Sequence, residues 1–254
     1  QFRVDNPDPI HLQKTGIDEF ADLNNAIATL SENNRRLYLL QKEFTENASH
    51  EMQTPLAVLQ SKLELLMQTN PITEQQATLI EELSDAAQRL GRLNKTLLLL
   101  TRIDNNQFAG KEDISLDKLL KEILLQYEET IAAKQLQIMA APIEPARCRM
   151  NRTLAEMLIS NLLNNAIRHN LPSGKLWVTL EKGILTVKNT GQSEPLDESK
   201  IFTRFHKNSK DKNSIGLGLE IVKKICMLNG FILRYRFEYG LHSFSVHLGA
   251  TNDR

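Results

Sequence analysis

His50 stands in the run Phe44-Thr45-Glu46-Asn47-Ala48-Ser49-His50-Glu51-Met52-Gln53-Thr54-Pro55-Leu56, a strongly helical stretch in which an acid follows the imidazole and a hydroxyl comes four residues later. With about 3.6 residues per helical turn, Thr54 lies almost above His50 and Glu51 roughly a quarter-turn round the same rim. A carboxylate beside an imidazole can orient one ring nitrogen and take its proton, leaving the other as a nucleophile near neutral pH. Glu51 is therefore the candidate general base. A hydroxyl at i+4 can align a water for the reverse chemistry, removal of a group from the ring or from a docked partner, and Thr54 is the candidate for that task. An isolated His-Glu pair is more often a solvated one, so the reading depends on what else the chain carries.

A second constellation lies further on. Asn161, Asn165 and Arg168 recur at i, i+4 and i+7 on an apolar helix running from about Arg152 to His169. Three polar side chains on one such stripe are costly if buried dry. An amide oxygen is a hard ligand suited to Mg²⁺ that keeps most of its waters and phosphate oxygens, while a guanidinium neutralises phosphate charge. Asn165 is the candidate metal ligand, and an exposed polar face explains the stripe equally well. Asn189-Thr190-Gly191 closes a strand, and Gly216-Leu217-Gly218-Leu219 opens a helix over Glu220 to Met227. Glycines there let backbone amides approach an anion at a helix N-terminus, although a tight strand-to-helix turn needs them too. Between them, Phe202-Thr203-Arg204-Phe205 precedes a polar segment, His206 to Ser214, without an apolar anchor, which suggests a mobile lid.

These groups need elements to position them. Residues 1–16, with Pro7 and Pro9, lack periodicity and form a leading linker. Phe20, Leu23, Ile27 and Leu30, then Leu37, Phe44 and Ala48, then Leu56, Leu59, Leu63 and Leu66 recur at helical spacing, so a helix of coiled-coil character carries His50. Pro55 removes one backbone donor and should bend it just past the histidine. Asn70-Pro71 ends the pattern, and Thr73 with Gln76 forms a capping box for a second helix. Ile80, Leu83, Ala87, Leu90, Leu93, Leu97, Leu100 and Ile103 make a stripe wider than one partner helix covers, so two hairpins should pack as a four-helix bundle in a homodimer. The same stripe could instead pack on another part of the chain. Residues Asp104 to Asp113 form a hinge. Beyond it Ser115 should cap a helix with Leu116, Leu119, Leu120, Ile123 and Tyr127 inward. Alternating strands follow at Leu176–Leu180, Leu185–Val187, Phe231–Phe237 and Phe244–Leu248, which makes helices on one face of a mixed sheet, an α/β sandwich.

Composition narrows the classes. Among 254 residues Lys+Arg and Asp+Glu are equal at 31 each, so bulk attraction to nucleic acid or anionic lipid is not expected. Cys148 and Cys226 lack CxxC spacing and suit buried thiols in a reducing, cytosolic setting. No stretch reaches the roughly 18 apolar residues of a membrane span. Gln1 in place of an initiator methionine suggests a piece of something longer.

Taken in order, His50-Glu51-x-x-Thr54-Pro55, Asn161-Leu-Leu-x-Asn165-Ala166, Asn189-x-Gly191, Phe202-x-Arg-Phe205 and Gly216-Leu-Gly218-Leu resemble the successive H, N, first glycine, F and second glycine boxes of sensor histidine kinases. The resemblance implies a dimeric helical hairpin bearing the phosphoacceptor, followed by a GHKL-type α/β sandwich that binds ATP. It implies that His50 attacks the γ-phosphate, that Glu51 acts as base, and that Thr54 aids dephosphorylation of a partner. Asn165 would hold Mg²⁺, Asn161 and Arg168 would contact phosphates or the metal shell, and Phe205 would pack beneath the lid. His169, Asn189, Gly191, Gly216, Leu217, Gly218 and Leu219 complete the implied nucleotide contacts. The implied organisation is a linker over 1–16, a signal-relay helix over 17–36 similar to the end of a HAMP region, a dimerisation and phosphotransfer hairpin over 37–104, a hinge over 105–112 and a catalytic domain over 113–250. Implied partners are a second copy and a response-regulator receiver domain, with a membrane-spanning sensor upstream and this portion in the cytoplasm.

Two departures keep other readings open. Asn189 stands where the family usually has Asp, and the last glycine box survives only as Gly240-Leu241-His242-Ser243-Phe244. A dimeric signalling scaffold with a decayed ATP site would show both. Thr54 would also suit a phosphatase-biased member of the family.

Overall fold

The computed structural model describes residues 17–69, 71–139, 141–198, 200–202 and 216–249, and the backbone alone for Lys42, Thr45, Glu46, Ser49 and His50. The expected leading linker, the lid and Phe205 lie outside the described residues. The chain divides into two units, Gln1–Gln107 and Phe108–Arg254.

The first unit is the helical hairpin expected from the 3- and 4-residue rhythm. Helix α1 spans Asp18–Met67, with Asp18 and Glu19 in its first turn where the helix dipole favours negative charge. The segment expected as a signal relay and the arm carrying His50 are one continuous helix. Pro55 lies inside it without ending it. Helix α2 spans Glu74–Asp104 and starts on the expected capping box. Thr73 Oγ1 accepts from the Gln76 backbone N–H at 3.2 Å, and Gln76 Oε1 accepts from the Thr73 N–H at 3.0 Å. Leu63 and Ala87 are buried, yet Leu30 is 72% exposed and Phe44 73%, with Phe20, Leu23, Leu83 and Leu90 also open. In a single chain much of the apolar stripe on both helices thus remains uncovered.

The second unit is built round a mixed sheet. Its strands are β2 (Gln137–Met139), β4 (Lys175–Glu181), β5 (Ile184–Thr190), β6 (Ile232–Glu238) and β7 (Leu241–His247), in the order β2-β4-β5-β7-β6. Among the described strands only the β2–β4 pair is parallel, with one further parallel bridge between Ile143 and Leu180. A separate antiparallel ribbon pairs β1 (Glu112–Ser115) with β3 (Arg147–Met150). The helices are α3 (Leu116–Gln126), α4 (Glu128–Ala133), α5 (Arg152–Arg168) and α6 (Gly218–Asn229). Alternation decides which sheet face is inside: Leu176, Val178 and Leu180 of β4, Leu185 and Val187 of β5, and Phe244 and Val246 of β7 are buried. Leu158, Ile159, Leu162 and Leu163 of α5 and Val222 and Ile225 of α6 complete that core. On β6 the alternate residues Ile232, Arg234, Arg236 and Glu238 are exposed.

The four expected strands and the helix at 152–169 are present. Ser115 occupies the N-cap position of α3, but its side chain makes no capping bond, because the residue also ends β1. The short strands β1, β2 and β3 have no counterpart in the sequence reading.

Candidate functional site

The backbone places His50 in α1, with Glu51 and Thr54 exposed on the following turn. The other candidates lie in the second unit, along α5, the end of β5 and the start of α6.

Helix α5 begins on Asn151, whose Oδ1 accepts from the Leu154 N–H at 3.3 Å. Asn161 and Asn165 are half-buried, one turn apart. Asn161 Nδ2 donates to the Met157 carbonyl at 2.8 Å, so its amide is turned back along its own helix. That leaves Asn161 Oδ1 facing α6, where a Cβ on Gly218 would lie 3.1 Å from it. Asn161 and Gly218 are thus in close contact, while Gly216 takes a positive φ of 73° and Leu217 is buried. Arg168 and His169 close α5, and Lys134 Nζ donates to the carbonyl of Ile167 at 3.1 Å. A lysine there satisfies end carbonyls and complements the negative pole of the helix.

Asn189 is 1% exposed. Its Nδ2 donates to the Thr190 carbonyl at 2.8 Å, which fixes the amide and leaves Oδ1 buried without a hydrogen-bond partner among the described residues. An orphaned buried acceptor costs about 1–3 kcal/mol, and the described residues supply this oxygen with no donor. Gly191 is buried beside it, and a Cβ there would stand 2.5 Å from His242 Cδ2. Close approach, not backbone dihedral, requires glycine at this position.

Four residues of this region went unnoticed as participants in the sequence reading. Thr190 Oγ1 donates to Asn170 Oδ1 and accepts from the Lys175 N–H, while Asn170 Nδ2 donates to the Lys175 carbonyl, so the exit of α5 is clamped to the sheet. His242 Nε2 lies 2.9 Å from the Gln192 carbonyl, and Nδ1 lies 2.8 Å from the Tyr235 hydroxyl. A carbonyl only accepts, so Nε2 carries the hydrogen and Nδ1 accepts from Tyr235. Tyr235 Oη in turn accepts from the Leu196 N–H at 3.0 Å. Burial pushes the Tyr235 phenol above its ordinary value, with the Leu196 bond opposing and Glu198 adding to the rise, so the hydroxyl keeps its proton. The signal for His242 was its phase: it alternates with Phe244 and Val246 on the inner face of β7.

The thiols take no part. Burial, reinforced by Asp113, raises Cys148 to about 11, and burial raises Cys226 to about 12. Both are free and buried, as expected. No helix among the described residues is long and apolar enough to cross a membrane.

Comparison with known proteins agrees with this division. Residues 40–106 match the family model of the His Kinase A (phospho-acceptor) domain, and residues 150–251 match that of the histidine kinase-, DNA gyrase B- and HSP90-like ATPase. The heme sensor protein HssS of Staphylococcus aureus is 33% identical over 224 residues, 86% of this chain and 49% of that protein. HssS of Staphylococcus saprophyticus is 33% identical over 220 residues, 84% of this chain and 47% of its own. The chain spans about half the length of these relatives. The Acinetobacter baumannii histidine kinase AdeS shares the fold with a TM-score of 0.57 at 20% identity, covering 80% of this chain and 98% of that one. Full-length ShkA in complex with AMPPNP shares it with a TM-score of 0.60 at 21% identity, covering 80% and 45%.

Fold and matches together define a class: a helical phosphoacceptor hairpin ahead of an ATPase-type nucleotide-binding domain. The chain belongs to the sensor histidine kinases.

Proposed function

We propose that the protein is an ATP-dependent histidine kinase that phosphorylates His50 and passes the phosphoryl group to an aspartate of a response regulator. The observation that carries the nucleotide reading is the buried, unpartnered Oδ1 of Asn189, an acceptor that the amino group of adenine would satisfy. Gly191 lies buried beside it, packed against the His242 ring, while the Gly216–Leu219 turn at the start of α6 would offer backbone amides to the phosphates. Asn161 and Arg168 would contact phosphates or the metal shell, and His169 and Phe205 would line the nucleotide.

In the transfer an imidazole nitrogen of His50 forms a bond to the γ-phosphorus as the bond to the bridging oxygen breaks. ADP leaves, and Glu51 takes the ring proton. A carboxylate of the regulator then accepts the phosphoryl group, which restores the imidazole. Such transfer rests on alignment and charge neutralisation more than on covalent help from the protein. Among the described residues no cluster of His, Cys, Asp or Glu could hold a metal by itself. The neutral amide of Asn165 fits a Mg²⁺ that arrives with its substrate and keeps phosphate and water oxygens.

The exposed apolar stripe on α1 and α2 supports a homodimer, with the division into 17–36, 37–104, 105–112 and 113–250 as its working parts. The share of the HssS relatives left unmatched supports a longer protein with a membrane-borne sensor and this portion in the cytoplasm. The deciding experiment is incubation of the full chain with γ-labelled ATP and Mg²⁺. Acid-labile label that disappears in His50→Gln is expected, and failure of the chain to bind millimolar ATP refutes the kinase in favour of a signalling scaffold. Thr54, exposed one turn beyond His50, supports phosphatase action on the regulator, which Thr54→Ala should abolish.

A further inference from the structure

We propose that His242, held by Tyr235, is a positioning residue that sets the base-side wall of the nucleotide site; the proposal rests on the reading of the second unit as an ATP site. The strand register pairs Asn189 of β5 with His242 of β7, so the imidazole sits on the same rung as the orphaned acceptor. Its ring fills the space that a side chain at residue 191 would need. Its Nε2–H holds the Gln192 carbonyl, and its Nδ1 orders the Tyr235 hydroxyl, which holds the Leu196 amide. One connected relay thus fixes residues 192 and 196, a stretch outside any helix or strand that continues directly from Asn189 and Gly191.

The relay is rigid as well as connected. The His242 and Tyr235 rings stack with centroids 6.0 Å apart, Phe237 lies 4.9 Å from the imidazole, and Phe244 lies 5.0 Å from the phenol. Each polar atom of the chain has a partner of the right sense: an N–H for the phenol oxygen, a hydroxyl for Nδ1 and a carbonyl for Nε2. A buried imidazole needing only to be satisfied could have used any nearby carbonyl. This one is spent on the loop that leaves the base-side strand. His242 lies inside the segment Gly240-Leu241-His242-Ser243-Phe244, the remnant of the last glycine box, and holds the wall from there.

The test uses the full chain with two variants. Tyr235→Phe deletes one hydroxyl and keeps every ring contact; His242→Phe keeps a ring of similar size and deletes both bonds. Three quantities are read: affinity for a fluorescent ATP analogue, ATP KM against kcat for His50 labelling, and nucleotide-induced amide-exchange protection at residues 189–196. Each variant is expected to weaken nucleotide binding roughly three- to tenfold, the loss expected from one or two buried hydrogen bonds. KM should rise more than kcat falls, the protection should shrink, and the double variant should lose less than the product of the two, because both act through one relay. A lowered melting temperature with unchanged nucleotide affinity in Tyr235→Phe overturns the positioning role and leaves a structural one. If the wild type itself binds no ATP, the site reading falls and this proposal with it.

Discussion

Gly191→Ala is the sharpest test of how the end of β5 is built. The added methyl carbon would stand 2.5 Å from His242 Cδ2 and 2.9 Å from its Nε2, where ordinary contact is 3.4–4 Å. The imidazole cannot retreat without meeting Phe237 or breaking its bonds to Tyr235 and Gln192. Overpacking of this kind costs about 1–3 kcal/mol. Displacing the ring adds about 1–3 kcal/mol by leaving the Gln192 carbonyl and the Tyr235 hydroxyl without partners. At about 2–4 °C per kcal/mol for a domain of this size, the combined cost of about 2–6 kcal/mol should lower the melting transition of the second unit by roughly 4–24 °C. The assay is calorimetry of Gly191→Ala, His242→Ala and the double variant, all in the full chain. Removing the ring removes the clash, so the double variant should be more stable than the sum of the singles by more than about 1 kcal/mol. A Gly191→Ala protein melting within about 2 °C of wild type, or a strictly additive cycle, refutes the reasoning.

Three further outcomes are expected. Asn189→Leu removes an orphaned buried acceptor together with one hydrogen bond, so stability should stay within about 1 kcal/mol of wild type while ATP affinity falls at least roughly tenfold; retained affinity in a titration calorimeter would remove this amide from the site. Thr73→Ala dismantles the capping box and should destabilise the hairpin by about 1 kcal/mol in urea melts, with no effect indicating that tertiary packing alone fixes the start of α2. The Cys226 thiol, raised by burial from 9.0 to about 12, keeps its proton when folded while the unfolded chain loses its own above 9.0. The unfolded state then binds fewer protons, so this group leaves stability level below that value and erodes it as pH rises toward about 12. Cys226→Ala should flatten the alkaline decline in urea midpoints, and an unchanged slope assigns the decline elsewhere.

Local rules were legible where a residue's role depends on its near neighbours. The capping box at Thr73 and Gln76, the helix over 152–168 and the four long strands all follow from short-range spacing, and so does the stripe that joins Asn161 to Asn165. Ser115 shows the limit: its type suits a cap, but its place at the end of β1, paired with Arg147 across the ribbon, took precedence. The ribbon itself escaped notice because two four-residue strands carry too little alternation to stand out. His242 and Tyr235 escaped for a different reason. Their partners, Gln192 and Leu196, lie 50 and 39 residues away in sequence, and no periodicity encodes a pairing across that distance. The order of the five boxes pointed to the proposed site, but the scaffolding behind it could be seen only once β5, β6 and β7 lay side by side.

Strand β6 closes one side of the sheet, and its outward row includes Arg234, Arg236 and Glu238. Two copies joined through the hairpin proposed as a dimer would carry their sheets at a mutual concentration on the order of millimolar. At that density bare strand edges invite pairing between subunits, and closely spaced charges on an edge oppose it. In such a dimer the guanidinium groups of β6 would act as fenders against fusion of the two sheets into one.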